Sequence, residues 1–185
     1  MLASMYEDGY SEINRMFYGI QVTLIGSVDG SGKTLSAKPE PIAIINLPIP
    51  RCRECTIEQC FAEYCSSETL SGDNAWYNEE TESKQSVTKQ TKFWSLPEVM
   101  IVALGRNDCF GRKNCALVDV PLGTIDMSPC VVGYNAKLYQ YQLYAVCNHS
   151  GGPRGGHYTA HIRNDNGLWY EYNDARVTQI TDLSK

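Results

Sequence analysis

Asn164-Asp165-Asn166-Gly167 is a turn signal set between two runs that alternate apolar and polar residues, and it constrains the fold more than any other stretch. The runs 157–163 and 168–174 read as the arms of an antiparallel hairpin. A three-residue loop at 164–166 pairs Arg163 with Gly167 and sets His157 opposite Asn173; moving the loop by a residue or so shifts the partner to Asp174 or Ala175. If Tyr158, Ala160 and Ile162 face the core, period two puts His157 and Thr159 on the other face. His157 then stands at a strand mouth, beside a glycine-rich segment (150–156) that lets another backbone approach closely. An imidazole beside an amide or carboxylate is the arrangement of a general base oriented by a second polar group. An Asn carbonyl can accept the ring N–H and fix its tautomer. The bland alternative is a solvated histidine near a turn.

The rest of the chain is mostly strand text. Residues 17–24 alternate, Asp29-Gly30-Ser31-Gly32 marks a turn, and polar strand text resumes to Lys38, which predicts a hairpin. Residues 42–47 read as a buried strand, 86–93 as an exposed one, and 98–104 as a strand buried on both faces. Residues 107–114 form a loop, and 138–146, 158–163 and 168–172 are three further strands. Thr56-Ile57-Glu58-Gln59 is a capping box, and Ile57, Cys60, Phe61, Tyr64 and Cys65 then fall on one helical face. The first dozen residues are a polar lead-in.

Several functional classes drop out. A length of 185 residues suits one domain, which buries about 70% of its unfolded surface. A net charge of −5 argues against a nucleic-acid binder. The apolar runs fall short of the ~20 residues that span a bilayer, and Met1 to Asp8 carry no basic, apolar leader. The eight cysteines (Cys52, Cys55, Cys60, Cys65, Cys109, Cys115, Cys130, Cys147) are accordingly read as reduced thiols of a cytoplasmic or nuclear protein. On the same ground the sequon Asn148-His149-Ser150 is set aside. Ser27 to Thr34 mimics a phosphate loop but has Ser where the first Gly belongs, and prolines follow it where a helix should. Cys52-Arg53-Glu54-Cys55 is half a zinc site with no matching second pair.

The segments 141–152 (YQLYAVCNHSGG), 155–160 (GGHYTA) and 169–177 (WYEYNDARV) closely resemble the histidine box of ubiquitin-specific proteases. Phe17-Tyr18-Gly19, the stretch 68–77 (ETLSGDNAWY) and the stretch 96–104 (LPEVMIVAL) resemble the family's upstream landmarks, in the same order. The resemblance implies an α+β fold, mainly antiparallel β with few helices, made of the palm and fingers of a papain-like cysteine protease. Residues 1–185 would be one partial catalytic domain: a lead-in at 1–13, mostly fingers at 17–92 with a palm-side helix near 57–65, and mostly palm at 93–185. It implies a thiol protease that hydrolyses the bond after the C-terminal Gly of ubiquitin, with ubiquitin or a ubiquitinated protein as partner. His157 matches the family's general base, Asn173 its third catalytic residue and Asp174 the neighbouring acid. Gly155, Gly156 and Tyr158 match the substrate-binding channel, narrow enough for an extended tail without side chains.

Two departures shape the expectation. The family's cysteine box, a Gly-Asn-Thr-Cys type helix start in the thumb, is absent: sixteen residues precede Phe17, and none of the eight cysteines has that context. The chain is therefore expected to hold the base but not the nucleophile, to be inactive alone, and to need a thumb segment from elsewhere. A catalytically inactive ubiquitin-binding scaffold is the alternative; the retained pair His157 and Asn173 favours the enzyme. The cysteine pairs of the fingertip zinc ribbon are also missing near 25–30 and 77–83, so no metal or other cofactor is expected and the fingers would hold by strand pairing.

Overall fold

The computed structural model describes residues 11–108, 110–152 and 155–182. Helix α1 (Glu12–Phe17) leads into β1 (Gly19–Ser27) and β2 (Thr34–Ile42); β3 (Ile44–Leu47) and β4 (Glu54–Thr56) precede helix α2 (Ile57–Tyr64). Then come β5 (Ser67–Leu70), β6 (Trp76–Asn78), β7 (Ser83–Gln85), β8 (Val87–Ser95), β9 (Ile101–Leu104), β10 (Leu117–Asp119) and β11 (Thr124–Asp126). The chain closes with β12 (Gln140–Gln142), β13 (Ala145–Gly152), β14 (Gly155–Arg163), β15 (Trp169–Asn173) and β16 (Arg176–Ile180). Among the described residues the ladders are antiparallel except for β3–β9 and β4–β10, which makes the fold α+β and mainly antiparallel.

The N-terminal sheet has the order β2-β1-β8-β5. Its first hairpin turns where the sequence places the turn: Ser27 donates its backbone N–H to the Lys33 carbonyl at 2.9 Å, and Gly30 and Gly32 take φ of +78° and +67°. Strand, not helix, flanks this stretch on both sides, so the phosphate-loop mimic is a hairpin turn. The segment read as an exposed strand, 86–93, instead falls in β8, one of the two inner strands, with Val87 and Phe93 both 0% exposed. Its alternation is weak because its polar side chains are tied to neighbours. Lys89 pairs with Glu68, Gln90 donates to the Cys65 carbonyl at 2.8 Å, and Lys92 donates to the Pro129 carbonyl at 3.0 Å.

The core gathers around α2. Thr56 Oγ1 accepts from Gln59 N and Gln59 Oε1 accepts from Thr56 N, a complete capping box. The helix buries Ile57, Cys60 and Phe61, and Cys65 follows, against Ile45, Leu47, Phe93 and Met127. Tyr64 stacks on Phe93 with centroids 5.7 Å apart and donates its hydroxyl to Gln21 at 2.6 Å.

Four expectations about local structure need correction. Residues 98–104 do not form a strand buried on both faces: β9 pairs only with β3 among the described residues, and Ile101 remains 41% exposed beside its partner Ile44. Residues 42–47 are not one buried strand. The chain bends at Ala43, and β3 alternates, burying Ile45 and Leu47 while exposing Ile44 and Asn46. The strand expected at 138–146 splits, because β12 pairs back to β11 whereas β13 pairs forward to β14. Helix α1 begins at the end of the expected lead-in and runs into the start of the stretch read as strand, capped by Ser11 Oγ accepting from Asn14 N; Ile13, Met16 and Phe17 have helical spacing, but over little more than one turn. Residues 1–10 lie outside the described residues.

Candidate active site

The C-terminal sheet runs β13-β14-β15-β16 in sequence order. The β14–β15 loop is longer than expected. Arg163 pairs with Trp169, not Gly167, and the intervening residues form a loop of their own. In it Asn164 N donates to the Leu168 carbonyl, Gly167 (φ +79°) donates to the Asn164 carbonyl, and Leu168 N donates to Asn166 Oδ1. Tyr172 and Tyr170 hold it from the strand through Asn164 and Asn166. Continuing the observed register, in which Ala160 faces Tyr172, sets Thr159 opposite Asn173 and His157 opposite Ala175.

His157 nevertheless meets Asn173. The two lie diagonally on one face of the sheet, within reach of side chains of this length, and His157 Nε2 is 2.7 Å from Asn173 Oδ1. An amide oxygen only accepts, so Nε2 carries the proton and Nδ1 keeps a lone pair. His157 is exposed and Asn173 half-buried, which leaves the ring accessible from solvent. Such a ring can take a proton at Nδ1 while Asn173 holds its orientation.

Asp174 occupies the first position of the two-residue turn between β15 and β16, with φ of +49°, a conformation that Asp tolerates better than most residues. Its carboxylate makes no hydrogen bond or ion pair among the described residues, so the imidazole is oriented by Asn173.

Tyr158 was expected to face the core with Ala160 and Ile162. It is 64% exposed, while Ala160 and Ile162 are half-buried. Its ring lies against His149, its partner across the β13–β14 ladder, with centroids 4.5 Å apart. The two glycines before His157 differ. A Cβ on Gly155 would meet open space, whereas one on Gly156 would collide with the His149 imidazole and the Ser150 carbonyl. The chain's own packing therefore requires glycine at Gly156 but not at Gly155.

The described cysteines sort by position. Cys55, Cys60, Cys65 and Cys130 are buried. Burial, with Cys55 close by, pushes the Cys60 thiol up to about 12, and the two sulfurs lie 3.7 Å apart. Cys65 donates to Cys130, which lowers Cys130 to about 7 and raises Cys65, but Cys130 is only 7% exposed. Cys52 is exposed, yet partial desolvation and Cys55 beside it raise its thiol. Cys147 pairs with Ala160, and period two puts it on the face of the sheet opposite His157. Cys115 is exposed, with its sulfur against the Lys113 carbonyl. Cys109 lies outside the described residues. Among the described residues no three His, Cys, Asp or Glu side chains group to hold a metal ion, and no helix is long and apolar enough to cross a membrane.

Sequence reasoning missed His149 and Lys113. His149 enters the sequence reading as the middle of a sequon and as part of the histidine-box segment 141–152, with no role of its own, and Lys113 meets it from 36 residues away. The one local signal was that His149 stands two residues before Gly151.

The sequence model of the family described as ubiquitin carboxyl-terminal hydrolase matches residues 13–184. Ubiquitin carboxyl-terminal hydrolase 15 of Rattus norvegicus is 36% identical over 130 residues, 68% of this chain and 14% of that protein. A probable ubiquitin carboxyl-terminal hydrolase of Acanthamoeba polyphaga mimivirus is 30% identical over 188 residues, 96% of this chain and 40% of its own length. This chain thus spans a minor part of either relative. Among solved structures, a chain of the SAGA Ubp8/Sgf11/Sus1/Sgf73 DUB module bound to ubiquitin aldehyde superposes with a TM-score of 0.79 at 20% identity, over 96% of this chain and 40% of that one. A chain of that module bound to monoubiquitin gives 0.78 at 21%, over 95% and 39%. At such identity the superpositions establish the fold, whereas the family match extends over nearly the whole sequence: this chain belongs to the ubiquitin carboxyl-terminal hydrolase family, the deubiquitinases of the cysteine-protease type.

Proposed function

We propose that this chain supplies the general base of a deubiquitinase that hydrolyses the bond after the C-terminal glycine of ubiquitin, and that the attacking sulfur comes from outside residues 1–185. The observation that carries this reading is the 2.7 Å bond from His157 Nε2 to Asn173 Oδ1. It leaves the Nδ1 lone pair to take the proton of a thiol, and the resulting thiolate is the nucleophile. The thiolate adds to the glycine carbonyl. The imidazolium then returns its proton to the leaving amine, and a water, deprotonated by the same nitrogen, releases the ubiquitin carboxylate. Within this chain the sheet containing β1, β2 and β8 would be the fingers, and β13 to β16 part of the palm. Gly155, Gly156 and Tyr158 would flank the ubiquitin tail. Gly155 fits that role because nothing in the chain itself excludes a side chain there. Asp174 would face the cleft beside Asn173.

Five of the described cysteines are poor candidates for the nucleophile's place, and neither exposed Cys52 nor exposed Cys115 has the sequence context of the family's cysteine box. Cys55, Cys60, Cys65 and Cys130 are buried, and Cys147 faces away from His157. A scaffold that only bound ubiquitin would have no use for an exposed imidazole with a fixed tautomer.

The test is labelling with a ubiquitin whose C-terminus carries a thiol-reactive electrophile. The chain alone should remain unlabelled and should not cleave a fluorogenic ubiquitin C-terminal amide. Ubiquitin-dependent, stoichiometric labelling of any of the eight cysteines would overturn the externally supplied sulfur. Where a cysteine-box segment added in trans restores cleavage, His157→Ala should reduce it by about 10²–10⁴-fold, the usual contribution of a positioned base. Retained activity would reject the role of His157.

A further inference from the structure

Lys113 Nζ lies 2.9 Å from the carbonyl oxygen of His149, 3.1 Å from that of Gly151 and 3.1 Å from His149 Nδ1. An ammonium has three N–H donors and no acceptor. All three are therefore spent on β13, at the end that runs into the glycine-rich loop. Because Lys113 can only donate, His149 Nδ1 is the accepting nitrogen in this contact, which leaves the ring N–H on Nε2. Lys113 is half-buried, and among the described residues no carboxylate pairs with it.

The His149 ring is confined on its other sides. Its face meets the Tyr158 ring, and its edge lies so close to Gly156 that no Cβ fits between them. Gly156 and Tyr158 are the two neighbours of His157 in the chain. In the ladder, Ser150 faces His157, between the rungs His149–Tyr158 and Gly151–Gly156. The loop needs such a hold. Gly151, Gly152, Gly155 and Gly156 lose more conformational freedom on ordering than any other residue type, and Gly151 takes a φ of +114°. Left to its own ladder, this end of the hairpin would be the part of the sheet most prone to open.

We propose that Lys113 and His149 are positioning residues: the ammonium clamps the end of β13, and the imidazole passes that constraint to the backbone on both sides of His157, holding its ring within reach of Asn173. The proposal deepens the reading of His157 as the base and rests on it. Its test involves no turnover, so the two can fail separately.

The measurements are amide hydrogen exchange and imidazole nitrogen NMR on the 185-residue chain. In Lys113→Met, which keeps the stem and removes the donors, amides within 147–158 should exchange at least about tenfold faster, a local opening. The β1–β2 hairpin should exchange at its original rate. Lys113→Arg, which retains charge and donors, should restore most of the protection. Unchanged exchange at 147–158, or the same acceleration in both hairpins, would overturn the clamp. The wild-type chain gives an independent reading if the variant does not fold. His149 should show a protonated Nε2 and an unprotonated Nδ1; the opposite tautomer would overturn the proposal.

Discussion

The surroundings of α2 and the C-terminal sheet are stabilised in different ways. Around α2 the chain buries Cys60, Phe61, Leu47 and Phe93 almost completely, in contact with one another and with Met127. Across β13 to β16, Trp169 is the one side chain among the described residues that reaches the buried class. That sheet rests instead on its ladders and on the Asn164–Tyr172 and Asn166–Tyr170 bonds. The candidate active residues all lie on this thinly covered sheet. On the proposed reading of His157, accessibility explains the division: a base that must meet a thiol and a peptide tail cannot lie under a packed layer. Its precision must come from hydrogen bonds such as His157–Asn173, not from burial.

The contrast can be broken at several points. Phe93→Ala should cost about 3–5 kcal/mol, the usual range for emptying a well-packed aromatic site, read as a shift in the urea unfolding midpoint. A cost near that of a surface change would mean that the core is not where we place it. Thr56→Ala removes half of the capping box and should cost about 1 kcal/mol, with α2 fraying as its amides exchange faster. On the other side, Val177→Ser in the exposed part of β16 should change stability by no more than about 0.5 kcal/mol. A large loss there would show that something packs on that face. The smallest effect belongs to Asp29. Bonds from Ser31 and Ser27 in the first hairpin turn lower its carboxyl from 3.8 to about 2. Its folded value lies below the unfolded one, so its contribution is present above pH ~4 and fades as pH falls through about 2. NMR titration of the carboxyl should find that low midpoint; an ordinary carboxylate value would contradict the turn geometry.

The two regions also differed in how far the sequence disclosed them. The α2 capping box and the buried Cys60 and Cys65 were legible because cap and period are local properties, confined to residues 56–65. The first hairpin was legible for a similar reason, since Gly30 and Gly32 mark its turn, although β2 runs on past Lys38 through Pro39 and Pro41 to Ile42. Strand β8 was misread because Lys89, Gln90 and Lys92 look solvated until their partners at Glu68, Cys65 and Pro129 are known. In the site, the proximity of His157 and Asn173 was legible, but its geometry was not. The loop is two residues longer than the turn signal suggested, and the contact is diagonal across the strands instead of direct. The contact survives that shift because a two-residue slip preserves the face. Lys113 was illegible because nothing local links it to His149.

The most direct test of the central claim is the imidazole nitrogen spectrum of His157 at a pH where the ring is neutral. The account predicts a protonated Nε2, hydrogen-bonded to Asn173, and an unprotonated Nδ1 free to accept from a thiol. It also predicts that Asn173→Ala turns this single tautomer into a mixture. A ring protonated at Nδ1, or a spectrum that Asn173→Ala leaves unchanged, would contradict it.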